Sequence, residues 1–275
     1  MNELCKLCKS KRKLQKSHYI PKGVYKAIRR ANSSSDHSLV QVNRLRQEIF
    51  SSDRQLRRCL LCKDCENKFS KNGETIAVGG CYKGEGQFKL RTQLDGLTPS
   101  YVDRRSKAKR YHGEKVSQSV RSSAYAYFAA SMVWRGSVGN WSEPYSELNN
   151  TLSEKDSELI RQYLYHQTEL PDNITVHVYV DYDSPSQATM SMPPTVGKMR
   201  MNGKTVQIYT IMIPGILISV MIGDEIKKIA GSHPSHDRVV FREWSFTHSQ
   251  HYRDVASLTQ SCQPKGNLAT QIGTF

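Results

Sequence analysis

No apolar run of about 7–15 residues behind a basic segment opens this 275-residue chain, which begins Met1-Asn2-Glu3-Leu4-Cys5, so an export signal is not expected. A run of about 20 apolar residues is missing too: the most hydrophobic stretch, Ile208 to Ile222, is broken by Pro214 and Gly215. The expectation is a cytoplasmic protein that stays out of membranes. Also absent are a phosphate-cradling glycine loop, a Gly-x-Ser-x-Gly elbow, a His-Glu-x-x-His motif and any internal repeat. The back half is therefore expected to be a scaffold or recognition surface without chemistry of its own.

Acidic residues are scarce: 25 Asp and Glu stand against 40 Lys and Arg, for a formal charge of +15. The shortage is local. Residues 1–115 hold 27 basic and 11 acidic side chains, whereas residues 116–275 hold 13 and 14. A polyanion, nucleic acid first, is the partner expected for the front of the chain. The cations placed to meet it are Lys11, Arg12, Lys13 and Lys16, then Lys22 on a helix started by Pro21, then Arg57 and Arg58. A hydrophobic content of 37% is too high for wholesale disorder.

Seven cysteines in a reducing compartment read as metal ligands or free thiols rather than disulfides. Cys5-Lys6-Leu7-Cys8 is one C-x-x-C pair, and Cys59-Leu60-Leu61-Cys62-Lys63-Asp64-Cys65 contains two overlapping ones. Two such pairs supply the four thiolates of a structural Zn²⁺ site, since a two-residue spacer lets both sulfurs of one turn point the same way. Cys5, Cys8, Cys62 and Cys65 are the expected ligands, because Cys65 onward reads as a helix start after a Leu60-Leu61 strand. Cys59 is then expected to be a buried spare, and Cys81 and Cys262 lack partners at ligand spacing.

The fold class expected is α+β. Ser117 to Gly139 reads as a long core helix, and Ser153 as the N-cap of a second helix running to about Gln167, with Asp156 at the capping-box position. Alternating β-branched stretches at 174–181, 206–213, 215–222 and 239–244 predict strands of a small antiparallel sheet, with Asn202-Gly203 as a hairpin turn. His233-Pro-Ser-His236-Asp237 reads as a surface loop. The divisions expected are a zinc module at 1–98, a basic exposed loop at 99–115, a helix-and-sheet scaffold or interaction domain at 116–262 and a mobile tail at 263–275.

Taken together, Cys5–Cys8, Ser17-His18-Tyr19-Ile20-Pro21 and Leu61-Cys62-Lys63-Asp64-Cys65-Glu66 resemble the zinc-stapled HNH endonuclease family over roughly residues 1–80. With Phe128, Ser131, Trp134 and Arg135, the chain is similar to a group of bacterial HNH-like proteins as far as about residue 141. The resemblance implies a treble-clef or ββα-metal fold for the front unit. It further implies that His18 takes a proton from the water attacking a phosphodiester, DNA ahead of RNA, while Mg²⁺ or Mn²⁺ stabilises the developing charge. The residues before this histidine and after the last cysteine would supply ligands to that ion. Here they are Ser17, which departs from the usual Asp, Glu or His, and Glu66, a hard anionic oxygen. Asn43 is the best-placed counterpart of the family's middle Asn. Glu74 reads first as a solvated charge, second as a further ligand if the helix breaks near Asn72-Gly73. A bacterial defence system is the implied setting. The alternatives are a non-catalytic zinc-stapled nucleic-acid binder, or a subunit whose residues 116–262 hold a protein partner.

Overall fold

The structure is a computed structural model and describes residues 3–32, 39–143, 145–183, 185, 188–227 and 238–272. The expected surface loop at 233–237 lies outside the described residues. The chain is a mixed α+β protein with a possible metal site near its N-terminus.

In the front half, β1 (Glu3–Leu4) and β2 (Lys11–Arg12) pair antiparallel, and the turn between them carries the first cysteine pair. β3 (Leu14–His18) leads into α1 (Lys22–Ala31), which starts after Pro21, whose fixed φ suits a helix entry. β4 (Val40–Asn43) and β5 (Glu48–Ser51) form a hairpin, after which β6 (Arg57–Cys62) returns to pair antiparallel with β3. α2 (Lys63–Phe69) leaves directly from Cys62, completing a strand–strand–helix unit around the second cysteine pair. The helix does not fold back at Asn72-Gly73. It widens into a π turn over Ser70–Glu74 and runs on as α3 (Thr75–Gly80), followed by α4 (Lys89–Asp95). Gly73 is required there, because a Cβ would stand 2.8 Å from the backbone nitrogen of Phe128.

Residues 99–115, expected as a loop, instead hold β7 (Tyr101–Val102), β8 (Lys109–His112) and the short α5 (Gly113–Val116). α6 (Ser122–Val138) follows, and α7 (Glu154–His166) begins as expected, with the Ser153 hydroxyl accepting from the Asp156 amide at 3.0 Å. The remaining elements are β9 (Ile174–Asp181), β10 (Met192–Met201), β11 (Lys204–Ile213), β12 (Ile216–Ile222), β13 (Val239–Trp244), α8 (Gln250–Ser261), β14 (Gln263–Lys265) and α9 (Asn267–Ile272). Asn202 and Gly203 join β10 to β11 with φ of 51° and 77°, the left-handed pair that a two-residue hairpin turn needs.

The expected small sheet is larger and of mixed direction. Seven strands run in the order β10-β11-β12-β9-β13-β8-β7, antiparallel except where β13 lies parallel to β9. Residues 263–272 are likewise structured, since β14 pairs parallel with β5 and extends the front hairpin. Every residue of α6 from Ala124 to Ser137 is buried, so the helix is enclosed on all sides rather than amphipathic. It packs on the π turn and α7 and against β9, β12 and β13. One apolar core therefore runs from Cys5 and Leu7 through Phe69 and Trp134 to Phe241, and the stretches 1–98 and 116–262 share it. No helix among the described residues is long and apolar enough to cross a membrane.

Candidate metal centre and the motif histidine

The sulfurs of Cys5, Cys8, Cys62 and Cys65 all lie within 4.8 Å of one another, with Cys8 Sγ and Cys62 Sγ 3.9 Å apart. Four sulfurs at about 2.3 Å from a central Zn²⁺ stand roughly 3.8 Å from each other, so the spacing fits a tetrahedral thiolate shell. The Cys62 amide donates to Cys5 Sγ at 3.3 Å, which orients that sulfur from the end of β6. Cys5 is held well below the usual thiol range, chiefly by a hydrogen bond from Cys65, whose own thiol is pushed up by the same contact and by burial. A dication would be favoured here because it replaces the protons that keep the other sulfurs neutral. This is the only cluster of three or more His, Cys, Asp or Glu ligand atoms among the described residues.

Cys59 is exposed, not buried. Gln15 pairs with Leu61 but Lys16 with Cys59, so β6 carries an extra residue at Leu60. The bulge lets Leu60 and Leu61 both go inward, at 1% and 0% exposure, and leaves Cys59 outside. Cys59→Ser is expected to leave zinc stoichiometry unchanged by elemental analysis and to shift stability by less than about 0.5 kcal/mol.

Beside this knuckle, the hydroxyl of buried Ser17 donates to Glu66 Oε1. The residue before the motif histidine and the residue after the last cysteine are thus brought together, although 49 positions separate them. Burial pushes the Glu66 carboxyl up, while Arg135 and the Ser17 hydroxyl oppose that rise. His18, at the end of β3, is half-buried and pushed below the usual imidazole value, first by desolvation, then by Arg57, Lys22 and Arg135.

Glu74 is neither a solvated charge nor a ligand reached through a helix break. It accepts from Arg135 Nη2 at 2.5 Å, with the Arg135 side chain 1% exposed. Arg135 Nη1 also donates to the His18 carbonyl at 2.5 Å and the Tyr19 carbonyl at 3.2 Å, and the guanidinium lies 5.1 Å from the Phe69 ring centre. α6 therefore fastens the end of β3, where His18 sits, to the π turn. Arg135, singled out in the sequence only by the resemblance, thus has its internal partner in Glu74. Arg135→Ala strands the Glu74 carboxylate and two carbonyls and is expected to cost about 3 kcal/mol, measured by urea unfolding. Asn43 is a turn residue, its Oδ1 accepting from the amides of Leu45 and Arg46 at 3.2 Å, and it takes no part in the site.

Lys11, Arg12, Lys13, Lys16, Lys22, Arg57 and Arg58 are all exposed. Cross-strand pairing sets Arg57 opposite His18 and Arg58 opposite Ser17. Arg12 is partly neutralised by Asp64 at 2.9 Å, whereas the other six form no ion pair among the described residues. No protein-family profile, curated protein or solved structure matches this chain.

Proposed function

We propose that the front of the chain is a zinc-stapled, HNH-like unit of the ββα-metal, treble-clef kind that hydrolyses phosphodiester bonds, in DNA ahead of RNA. One observation carries the reading: a half-buried, neutral-leaning His18 lies in a rim of unpaired cations beside the converging Ser17 and Glu66. Neutral imidazole can accept the proton of an attacking water, and Arg57 and Lys22 can hold the phosphate it attacks. Glu66 offers one carboxylate, which fits Mg²⁺ or Mn²⁺ only in the mode where water and substrate phosphate complete the coordination. Bound in that way, the ion would offset charge gathering on the phosphate. Ser17 keeps Glu66 oriented, and Arg135 keeps His18 in register with it.

A second reading, a binder without cleavage, draws on the same shell. Ser17 is bonded to Glu66 and Arg135 to Glu74, and among the described residues no third hard ligand joins them. Incubating the protein with plasmid, single-stranded DNA and RNA, with and without Mg²⁺ or Mn²⁺, separates the two. Cleavage that needs the ion and Glu66 supports the nuclease. Salt-sensitive binding with every substrate left intact supports the binder.

A further inference from the structure

The face of the seven-stranded sheet turned away from α6 carries a row that the front unit does not use. Register places Tyr179 of β9 beside Arg242 of β13, Arg242 beside Arg110 of β8, and Arg110 beside Tyr101 of β7. The order across four adjacent strands is Tyr-Arg-Arg-Tyr. Each guanidinium lies against the tyrosine on its own side, Arg242 at 5.9 Å from the Tyr179 ring centre and Arg110 at 5.5 Å from that of Tyr101. Like charges directly opposite on neighbouring strands destabilise a sheet unless an anion lies between them. Neither arginine has an ion-pair partner among the described residues, and Arg242 Nε is buried with no hydrogen-bond partner.

Nearby carboxylates make their hydrogen bonds elsewhere, although Asp103 also feels the charge of Arg110. Asp103 binds the amides of Arg105 and Ser106, and Asp181 accepts from the amides of Asp183 and Phe246. His177, next along β9 on this face, is pushed down to about 4 by burial and then by Arg242 and Arg110, so at neutral pH it adds hydrogen-bonding capacity without charge.

We infer that this row binds a nucleotide unit, its phosphate held by Arg110 and Arg242 and its base laid against Tyr101 or Tyr179. Two guanidinium forks match the oxygens of one phosphate, and a tyrosine face accepts any unstacked base. A duplex, whose bases are already stacked, has no use for the tyrosines; the ligand is a free nucleotide or a single strand. The site is separate from the proposed cleavage unit and stands whether or not that unit cuts.

The test is fluorescence anisotropy of a labelled single strand of about ten nucleotides, at several salt concentrations, with wild type, R110Q/R242Q, R57Q/R58Q and the quadruple variant. R110Q/R242Q is expected to lose at least about tenfold in affinity and to flatten the salt slope by roughly 0.7, the single-strand value for one phosphate, with the same loss in the R57Q/R58Q background. Tyr101→Ala, on an edge strand at 49% exposure, is expected to weaken binding about fivefold and reads the same row without disturbing the core. Competition by adenosine monophosphate assigns the site to free nucleotides, and competition by the strand alone assigns it to single strands. Unchanged affinity and slope in R110Q/R242Q, with Tyr101→Ala also silent, overturns the inference, whereas a silent R57Q/R58Q speaks only against the front unit.

Discussion

Replacing Cys62 with serine is expected to lower stability more than any other single substitution, by upwards of 4 kcal/mol on the roughly 10–16 kcal/mol scale of structural zinc binding. The expectation follows from where the ligands lie. Cys5, Leu7, Cys62 and Cys65 are 0–3% exposed and belong to the core that also holds Phe69, Trp134 and Phe241. Without the metal, the thiols of Cys5, Cys62 and Cys65 remain enclosed among apolar side chains, and β1, β2, β3, β6 and α2 lose what ties them together. Because α6 is shared, the loss spreads into the sheet instead of ending at the knuckle. A protein of this size has about 5–15 kcal/mol in total, so the variant is expected to be largely unfolded at 37 °C. Elemental analysis should give one zinc per wild-type chain, and a strong chelator should reproduce the Cys62→Ser melting curve. Wild type that carries no metal, or melts identically with and without the chelator, would sink the zinc assignment.

His18→Ala is expected to reduce phosphodiester cleavage by about 10²–10⁴-fold while leaving zinc content and the salt slope of binding intact. His18 titrates below the usual 6.5 because the desolvated ring faces Arg57, Lys22 and Arg135, with Glu74 opposing. The sign follows: a lowered value keeps the imidazole neutral further into acid, so the rate should rise with pH through a midpoint below 6.5. Arg57→Gln removes one of those charges and should move the midpoint upward. Folding is affected in the corresponding direction. The unfolded chain takes up a proton at His18 before the folded one does, so His18 disfavours folding as pH drops below 6.5. Binding that is salt-sensitive, with no cleavage in wild type and no change in His18→Ala, would favour the binder instead.

Features governed by neighbours a few residues apart are legible in the chain before it folds. Cys5-x-x-Cys8 and Cys62-x-x-Cys65 announce a metal knuckle because two-residue spacing is a local geometric fact, and the four sulfurs do meet. Ser153 as a helix cap, Asn202-Gly203 as a hairpin and the strands around Pro214-Gly215 follow from backbone preferences that act within one turn. The concentration of charge in residues 1–115 needed only counting. Tertiary structure decided the rest, because strand register and helix packing join residues between which the chain carries no local code. A single bulge in β6 put Cys59 outside rather than in the core. A π turn that kept the helix running delivered Glu74 to Arg135, 61 residues away. Pairing along β7, β8, β13 and β9 assembled Tyr101, Arg110, Arg242 and Tyr179 into one row from segments as far apart as 101 and 242. Local preference sets which element a residue joins, but which residues share a face or a charge is set by how those elements close over a common core.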